Sequence, residues 1–166
     1  MILFGVDPGS RVAGFGVIEC TPKGMRHLSH GVIILNEKEA LPLRLKTLTQ
    51  ELGSLYQKYE PDAIIVEKIF LGKNADSAFK LGHARGVAIA QAALSGAQVF
   101  EYATRQIKQG VAGKGSASKE EVQFMVEKYL KLKNIEHLDA SDALALALYH
   151  GFTMQNRARI SAGVLI

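Results

Sequence analysis

Ile2-Leu-Phe-Gly-Val-Asp7-Pro-Gly9 opens the chain, and its reading decides the fold. An apolar run closed by a Pro-Gly pair describes a strand buried on both faces that stops at a turn. That strand delivers the carboxylate of Asp7 at its carboxyl end. Ala63-Ile-Ile-Val-Glu67 repeats the pattern and ends on Glu67. Ligand sites lie beyond the carboxyl ends of parallel strands, so if these two strands are neighbours, both acids emerge at one edge of the sheet. Asp139 and Asp142 stand at the mouth of an apolar helix, and residues three apart share a helix face. Two carboxylates about 4 Å apart repel by up to roughly 4 kcal/mol at an effective dielectric of 20, so a cluster of acids persists only if protonation or a cation offsets the repulsion. An oxygen-rich site with open water positions suits Mg²⁺ or Mn²⁺ better than zinc. Two such ions about 4 Å apart can activate water on one side of a phosphorus and stabilise the departing oxygen on the other. Metal-dependent phosphodiester hydrolysis is therefore the leading chemistry.

Each acid also has an ordinary explanation. Asp7 can initiate a turn, Glu67 can be a solvated strand end, and Asp139 with Asp142 can serve a helix N-terminus, where the dipole favours negative charge. The fourfold coincidence weakens those explanations.

The rest of the chain follows from the same rules. Gly14 to Cys20 and Arg26 to Leu35 read as strands that return across the first in an antiparallel meander. Leu45, Leu48, Leu52, Leu55 and Tyr59 recur at helical spacing until Glu60-Pro61 stops them. After the strand at 63–67 come a helix from Asn74 to Ser95, a strand from Gln98 to Tyr102, and a short helix broken at Gly113-Lys-Gly115. Ser118 and Glu121 form a capping box before a further helix. The last helix begins near Asp139 and is apolar nearly all round through Leu148, so it is expected to be deeply packed. Strands followed by alternating helices and strands describe an α/β domain, a mixed sheet flanked by helices on both faces, over residues 1–155. Residues 156–166 read as a patternless C-terminal tail, free to move.

With 166 residues, 48% of them apolar, the chain can build one core without metal or disulfide staples. The single Cys20 excludes a disulfide framework and a cysteine zinc site. Met1 leads straight into a strand and no apolar run approaches spanning length, which reads as a cytoplasmic protein with no membrane association. A net charge of +4 is too small to announce a nucleic-acid binder, but its distribution says more. Arg105, Lys108, Lys114 and Lys119 occur within one stretch that contains no acid. A basic track beside an acidic hole suits an enzyme that grips a polyanion and cuts it.

Gly5-Val-Asp-Pro-Gly9, Glu67-Lys-Ile-Phe70, Lys73-Asn-Ala-Asp76, Leu81-Gly-His-Ala-Arg-Gly86, Thr104-Arg-Gln-Ile-Lys-Gln109 and Asp139-Ala-Ser-Asp-Ala-Leu-Ala145 together resemble the RuvC family of Holliday-junction resolvases. The likeness runs in order from about Ile2 to Phe152. It implies a ribonuclease-H-like five-stranded sheet, a homodimer, and Mg²⁺-dependent paired nicking of four-way DNA junctions in recombination and repair, with 5′-phosphate and 3′-hydroxyl ends. By similarity, Asp7, Glu67, Asp139 and Asp142 are the catalytic and metal-binding residues. Two Mg²⁺ per site are expected, with Asp7 bridging them and Mn²⁺ able to substitute. A branch-migration helicase complex is the implied partner.

The resemblance also assigns DNA contacts. Phe70 taken alone reads as core, whereas the family places an aromatic here to stack on bases at the crossover. Lys108 and Lys119 align with basic residues near the scissile strand, and Lys119 follows a capped helix start, where a lysine and helix amides can hold a phosphate. Lys73, Lys80, Arg85 and Arg105 are weaker candidates for contacts to the DNA backbone, with salt bridges as the alternative role for all four. The helix over 74–95 carries a small-residue face, Gly82, Gly86, Ala90 and Ala93, that can pack in the core or against its own copy. His27, His30, His83, His137 and His150 show no metal-ligand spacing. Actin-like kinases and ATPases share the opening strand, but they need two subdomains and a second phosphate loop that this chain lacks. A non-catalytic DNA-binding protein would have no use for four repelling acids. A related nuclease acting on ribosomal RNA precursors or other branched DNA is the nearer alternative.

Overall fold

The structure is a computed structural model that describes residues 1–68 and 75–161, with side chains described for all of these except 75, 76 and 159–161. The elements run β1 (Ile2–Asp7), β2 (Val12–Thr21), β3 (Gly24–Ile34), α1 (Leu41–Tyr59), β4 (Ala63–Lys68), α2 (Ala75–Leu94), β5 (Gln98–Ala103), α3 (Thr104–Ala112), α4 (Lys119–Leu130) and α5 (Leu138–Ser161). The five strands form one sheet in the order β3-β2-β1-β4-β5. β1, β2 and β3 are antiparallel, whereas β1, β4 and β5 run parallel. This is the expected mixed sheet, with the meander at one side and the helical crossovers at the other.

Strand parity explains how two cores share it. Successive residues point to opposite faces, so Leu3 of β1 and Ala63 and Ile65 of β4 join the core under α3, α4 and α5, while Phe4, Val6, Ile64 and Val66 join the one under α1 and α2. These seven side chains are completely buried, as central strands covered on both sides require. On the second face, Tyr56 of α1 meets Phe4 edge to face with ring centres 5.0 Å apart. α1 ends where Glu60 adopts φ 43° and its N–H reaches Tyr56 O at 2.9 Å, immediately before Pro61.

α5 crosses the first face, and its apolar circumference is consumed from two sides. Leu144, Leu146 and Leu148 are at most 2% exposed, and each fully buried side chain of this kind contributes roughly 1.5–3 kcal/mol. The helix lies close against the sheet because glycines form its bed. A methyl built on Gly5 would stand 1.8 Å from the Ala143 carbonyl oxygen, and one on Gly14 would stand 2.0 Å from that of Asp139. No side chain fits there. α5 also continues through Ser161, so residues 156–161, set apart from the sequence as tail, extend the helix. No proline follows Pro61, and the next glycine after Gly151 is Gly163, so nothing in that stretch breaks a helix once it has started. Residues 162–166 lie outside the described residues.

Candidate active site

Asp7 and Glu67 arrive together through register and parity. Val6 pairs with Val66 in the parallel β1–β4 ladder, so the next residue of each strand sits side by side. Both continue the odd-numbered series that faces α5. The first turns of α5 rest on Gly14 at the Asp139 carbonyl, which brings that helix start to the same edge. The result is a cleft of about 170 Å³ whose walls include Asp7, Glu67 and Asp142, with Thr104 and Lys108 from α3 and Lys119 from α4.

The structure therefore gathers three of the four predicted acids on one cleft. Asp139 does not line it, although its charge reaches Asp7. Burial, then the charges of Glu67, Asp142 and Asp139, push the Asp7 carboxyl up from 3.8 to about 8, against the opposing pull of Lys119. The repulsion inferred from sequence is thus present.

Two hydrogen bonds occupy the other acids. Lys119 Nζ donates to Asp142 Oδ2 at 2.5 Å. Burial draws the Lys119 ammonium down, but the hydrogen bond and charge of Asp142, with Asp7 and Asp139, outweigh it and hold the group above its usual range. Thr104 Oγ1 donates to Glu67 Oε1 at 2.7 Å. Among the described residues, no three acid, histidine or cysteine side chains are set at the spacing of a finished metal cage. The donor chemistry nevertheless fits a hard divalent cation: carboxylate oxygens alone, crowded so that one is driven towards protonation and another draws in a lysine ammonium that a cation would displace. Asp7, Glu67 and Asp142 are the residues placed to hold such an ion.

The remaining predicted contacts divide. Lys108 lines the cleft and donates to the Ala117 carbonyl at 2.6 Å, which fixes its stem between α3 and the turn before α4. Arg105 is exposed beside Gly115, outside the cleft wall. Lys114, part of the basic track, is paired with Glu121 at 2.6 Å. Ser118 and Glu121 make the expected reciprocal cap, in which the Ser118 hydroxyl accepts from Glu121 N at 3.1 Å and Glu121 Oε2 accepts from Ser118 N at 2.8 Å. Arg85 donates to the Glu67 carbonyl oxygen at 3.0 Å and is paired with Glu101, so it braces the end of β4. His83 Nδ1 lies 2.7 Å from the Phe79 carbonyl oxygen, within its own helix. Phe70 and Lys73 lie outside the described residues.

Thr104 was missed as an individual residue from sequence. Its signal is positional: Glu67 pairs with Tyr102 in the β4–β5 ladder, and Thr104 lies two residues further on, at the same carboxyl edge and the first position of α3.

Comparison with known proteins places this geometry in a family. The family described as crossover junction endodeoxyribonuclease RuvC matches residues 3–150. The RuvC of Bdellovibrio bacteriovorus is 51% identical over 99% of this chain and 98% of its own, and that of Klebsiella pneumoniae is 47% identical over 96% and 92%. Among solved structures, Thermus thermophilus RuvC superposes with a TM-score of 0.83 at 33% identity, covering 95% of this chain and 97% of its own. The same protein in complex with a Holliday junction substrate gives 0.85 at 29% identity, covering 94% and 96%. Yeast mitochondrial Ydc2, at 13% identity and a TM-score of 0.67, shares the fold. With three acids at one edge of a mixed sheet and likeness along nearly its whole length, this chain belongs to the RuvC family of crossover junction endodeoxyribonucleases.

Proposed function

We propose that this protein resolves four-way DNA junctions by paired, symmetric, metal-dependent hydrolysis of phosphodiester bonds, leaving 5′-phosphate and 3′-hydroxyl nicks. The observation that carries the reading is the cleft in which Asp7, Glu67 and Asp142 face Lys108 and Lys119, in a chain that aligns with RuvC relatives nearly end to end. One T. thermophilus relative is described in complex with a Holliday junction substrate.

In this reading Asp7, Glu67 and Asp142, with Asp139 from the adjacent helix turn, hold two Mg²⁺ ions, or Mn²⁺ in their place. Bound there, the ions supply a nucleophilic water and stabilisation of the leaving oxygen. The protein's own groups do the rest. Burial and neighbouring charge keep Asp7 ready to exchange its proton for a cation. Lys119 neutralises Asp142 in the free protein and turns to a DNA phosphate when the junction docks, and Lys108 offers a second cation from the α3 side. Lys73 and Arg105 extend the grip along the backbone, and Phe70 stacks against unpaired bases at the crossover. Two symmetric cuts require two such sites, so the working unit is a homodimer, loaded onto junctions beside a branch-migration helicase complex in the cytoplasm. The nuclease domain comprises residues 1–155 together with the end of α5 through Ser161.

The test compares a labelled four-way junction with linear duplex of the same sequence, in Mg²⁺ and in chelator. Paired nicks confined to the junction and to Mg²⁺ support the reading. Equal cutting of duplex, or undiminished cutting in chelator, overturns it.

A further inference from the structure

Glu67 is held at both ends by different elements. Its backbone carbonyl accepts from Arg85 of α2 at 3.0 Å, and its carboxylate accepts from the Thr104 hydroxyl of α3 at 2.7 Å. The first bond fixes the strand end. The second fixes the carboxylate's rotation, because one of two equivalent oxygens, Oε1, is committed to a donor 37 residues away.

We propose that Thr104 is a positioning residue for the metal site, orienting the Glu67 carboxylate so that its second oxygen faces the cation. The inference rests on the reading of Glu67 as a metal ligand. A ligating carboxylate that is free to spin loses rotational freedom when the ion arrives, whereas one already hydrogen-bonded has lost it in advance, and groups of this supporting kind tune metal affinity. Thr104 is well placed for the task. It is the first residue of α3, so its own backbone N–H has no partner to find inside the helix, and the side chain stands at the cleft wall beside Glu67. The chain entering it is fixed as well, since Gln106 Oε1 accepts from Ala103 N at 3.1 Å. Among the described residues nothing else demands a hydroxyl here: the residue is exposed and outside both cores.

The test uses the full chain and three variants, Thr104→Val, Thr104→Ser and Glu67→Gln. Mn²⁺ binding without DNA is read by electron paramagnetic resonance, and the Mg²⁺ dependence of junction nicking is read separately. Thr104→Val, which keeps the shape and deletes the donor, is expected to weaken Mn²⁺ binding by about ten- to a hundredfold, the usual loss when a metal ligand's hydrogen-bond partner is removed. It should raise the half-saturating Mg²⁺ concentration by the same factor, leave the rate at saturating Mg²⁺ unchanged, and leave the melting temperature of the metal-free protein near wild type. Thr104→Ser should restore the affinity. Wild-type affinity in Thr104→Val, a serine variant as weak as the valine one, or a lower saturating rate at unchanged affinity would each overturn the role. If Glu67→Gln binds Mn²⁺ as wild type does, the ligand reading of Glu67 itself fails, an outcome distinct from failure of Thr104 alone.

Discussion

Replacing Asp7 with Asn should stabilise the metal-free protein while abolishing its nicking, and the size of the effect follows from the site. The folded protein holds the Asp7 carboxyl at about 8, against an ordinary 3.8, because burial and the charges of Glu67, Asp142 and Asp139 penalise its ionised form. Between those two values the folded state keeps a proton that the unfolded chain has released. Stability therefore falls as pH rises through that window, by about 1.4 kcal/mol per unit, and levels off above the folded value once both states have ionised. Four units give a ceiling of roughly 5–6 kcal/mol, and a chain of this length melts roughly 2–4 °C lower for each kcal/mol lost. Asn carries no charge at any pH, so Asp7→Asn should remove the slope. Thermal melts in chelator from pH 5 to 9 should show wild type declining to about pH 8 and then levelling, and the variant much less pH-dependent, with the gap exceeding about 5 °C at the alkaline end. Saturating Mg²⁺ should close much of that gap for the wild type alone, since a bound cation stabilises the ionised carboxylate. Parallel curves for the two proteins in chelator would refute the argument that Asp7 bears the repulsion of the cluster. Junction binding measured at low salt should survive the substitution, because it rests on the lysines.

Lys119→Gln should reduce junction nicking by roughly a hundredfold, as expected for losing a positioned cation near the reacting phosphate, while tightening Mn²⁺ binding in the absence of DNA, because Asp142 is no longer neutralised. Weaker Mn²⁺ binding would show that the lysine supports the metal site and does not compete with it. The ion pair is only partly exposed and Lys119 also offsets the repulsion at Asp7, so the metal-free melt should fall, most at the alkaline end. Gly5→Ala should cost roughly 1–3 kcal/mol, seen in denaturant titration, because the added methyl collides with the Ala143 carbonyl; a wild-type midpoint would mean that α5 can shift freely. Phe70→Ala should cripple junction cleavage and leave Mn²⁺ affinity intact, and unchanged cleavage removes the stacking role.

The sequence is most legible where local pattern and global fold coincide. Apolar strands ending on Asp7 and Glu67, the Ser118–Glu121 cap and the apolar α5 each follow from a rule acting over a few residues, and each is found where expected. Their meeting at one edge was conditional on β1 and β4 being neighbours, which only the strand order supplies. The contacts that finish the site were less accessible. Lys119 to Asp142 and Thr104 to Glu67 join elements separated by 23 and 37 residues, and no periodicity encodes such pairs. The same blindness made the basic track look continuous, although Lys114 is neutralised by Glu121 and Lys119 by Asp142. Asp139 and Asp142 share a helix face, yet only the second reaches the cleft wall, because spacing fixes direction around a helix and leaves depth along it undetermined. The end of α5 was read too early for a related reason: a polar helix turn beyond the core carries little hydrophobic period to announce it.

The glycine bed under α5 has a bearing on how genetic screens of this protein should be interpreted. Gly5, Gly14 and Gly16 have no side chain to donate a proton, hold an ion or touch DNA, yet each meets the backbone of the helix that carries Asp139 and Asp142. Random mutagenesis scored by survival after DNA damage should return these positions alongside the acids, and activity data alone would list them as catalytic. Their metal-free melts separate the classes: inactive glycine variants unfold early, whereas an inactive Asp7→Asn protein outlasts the parent.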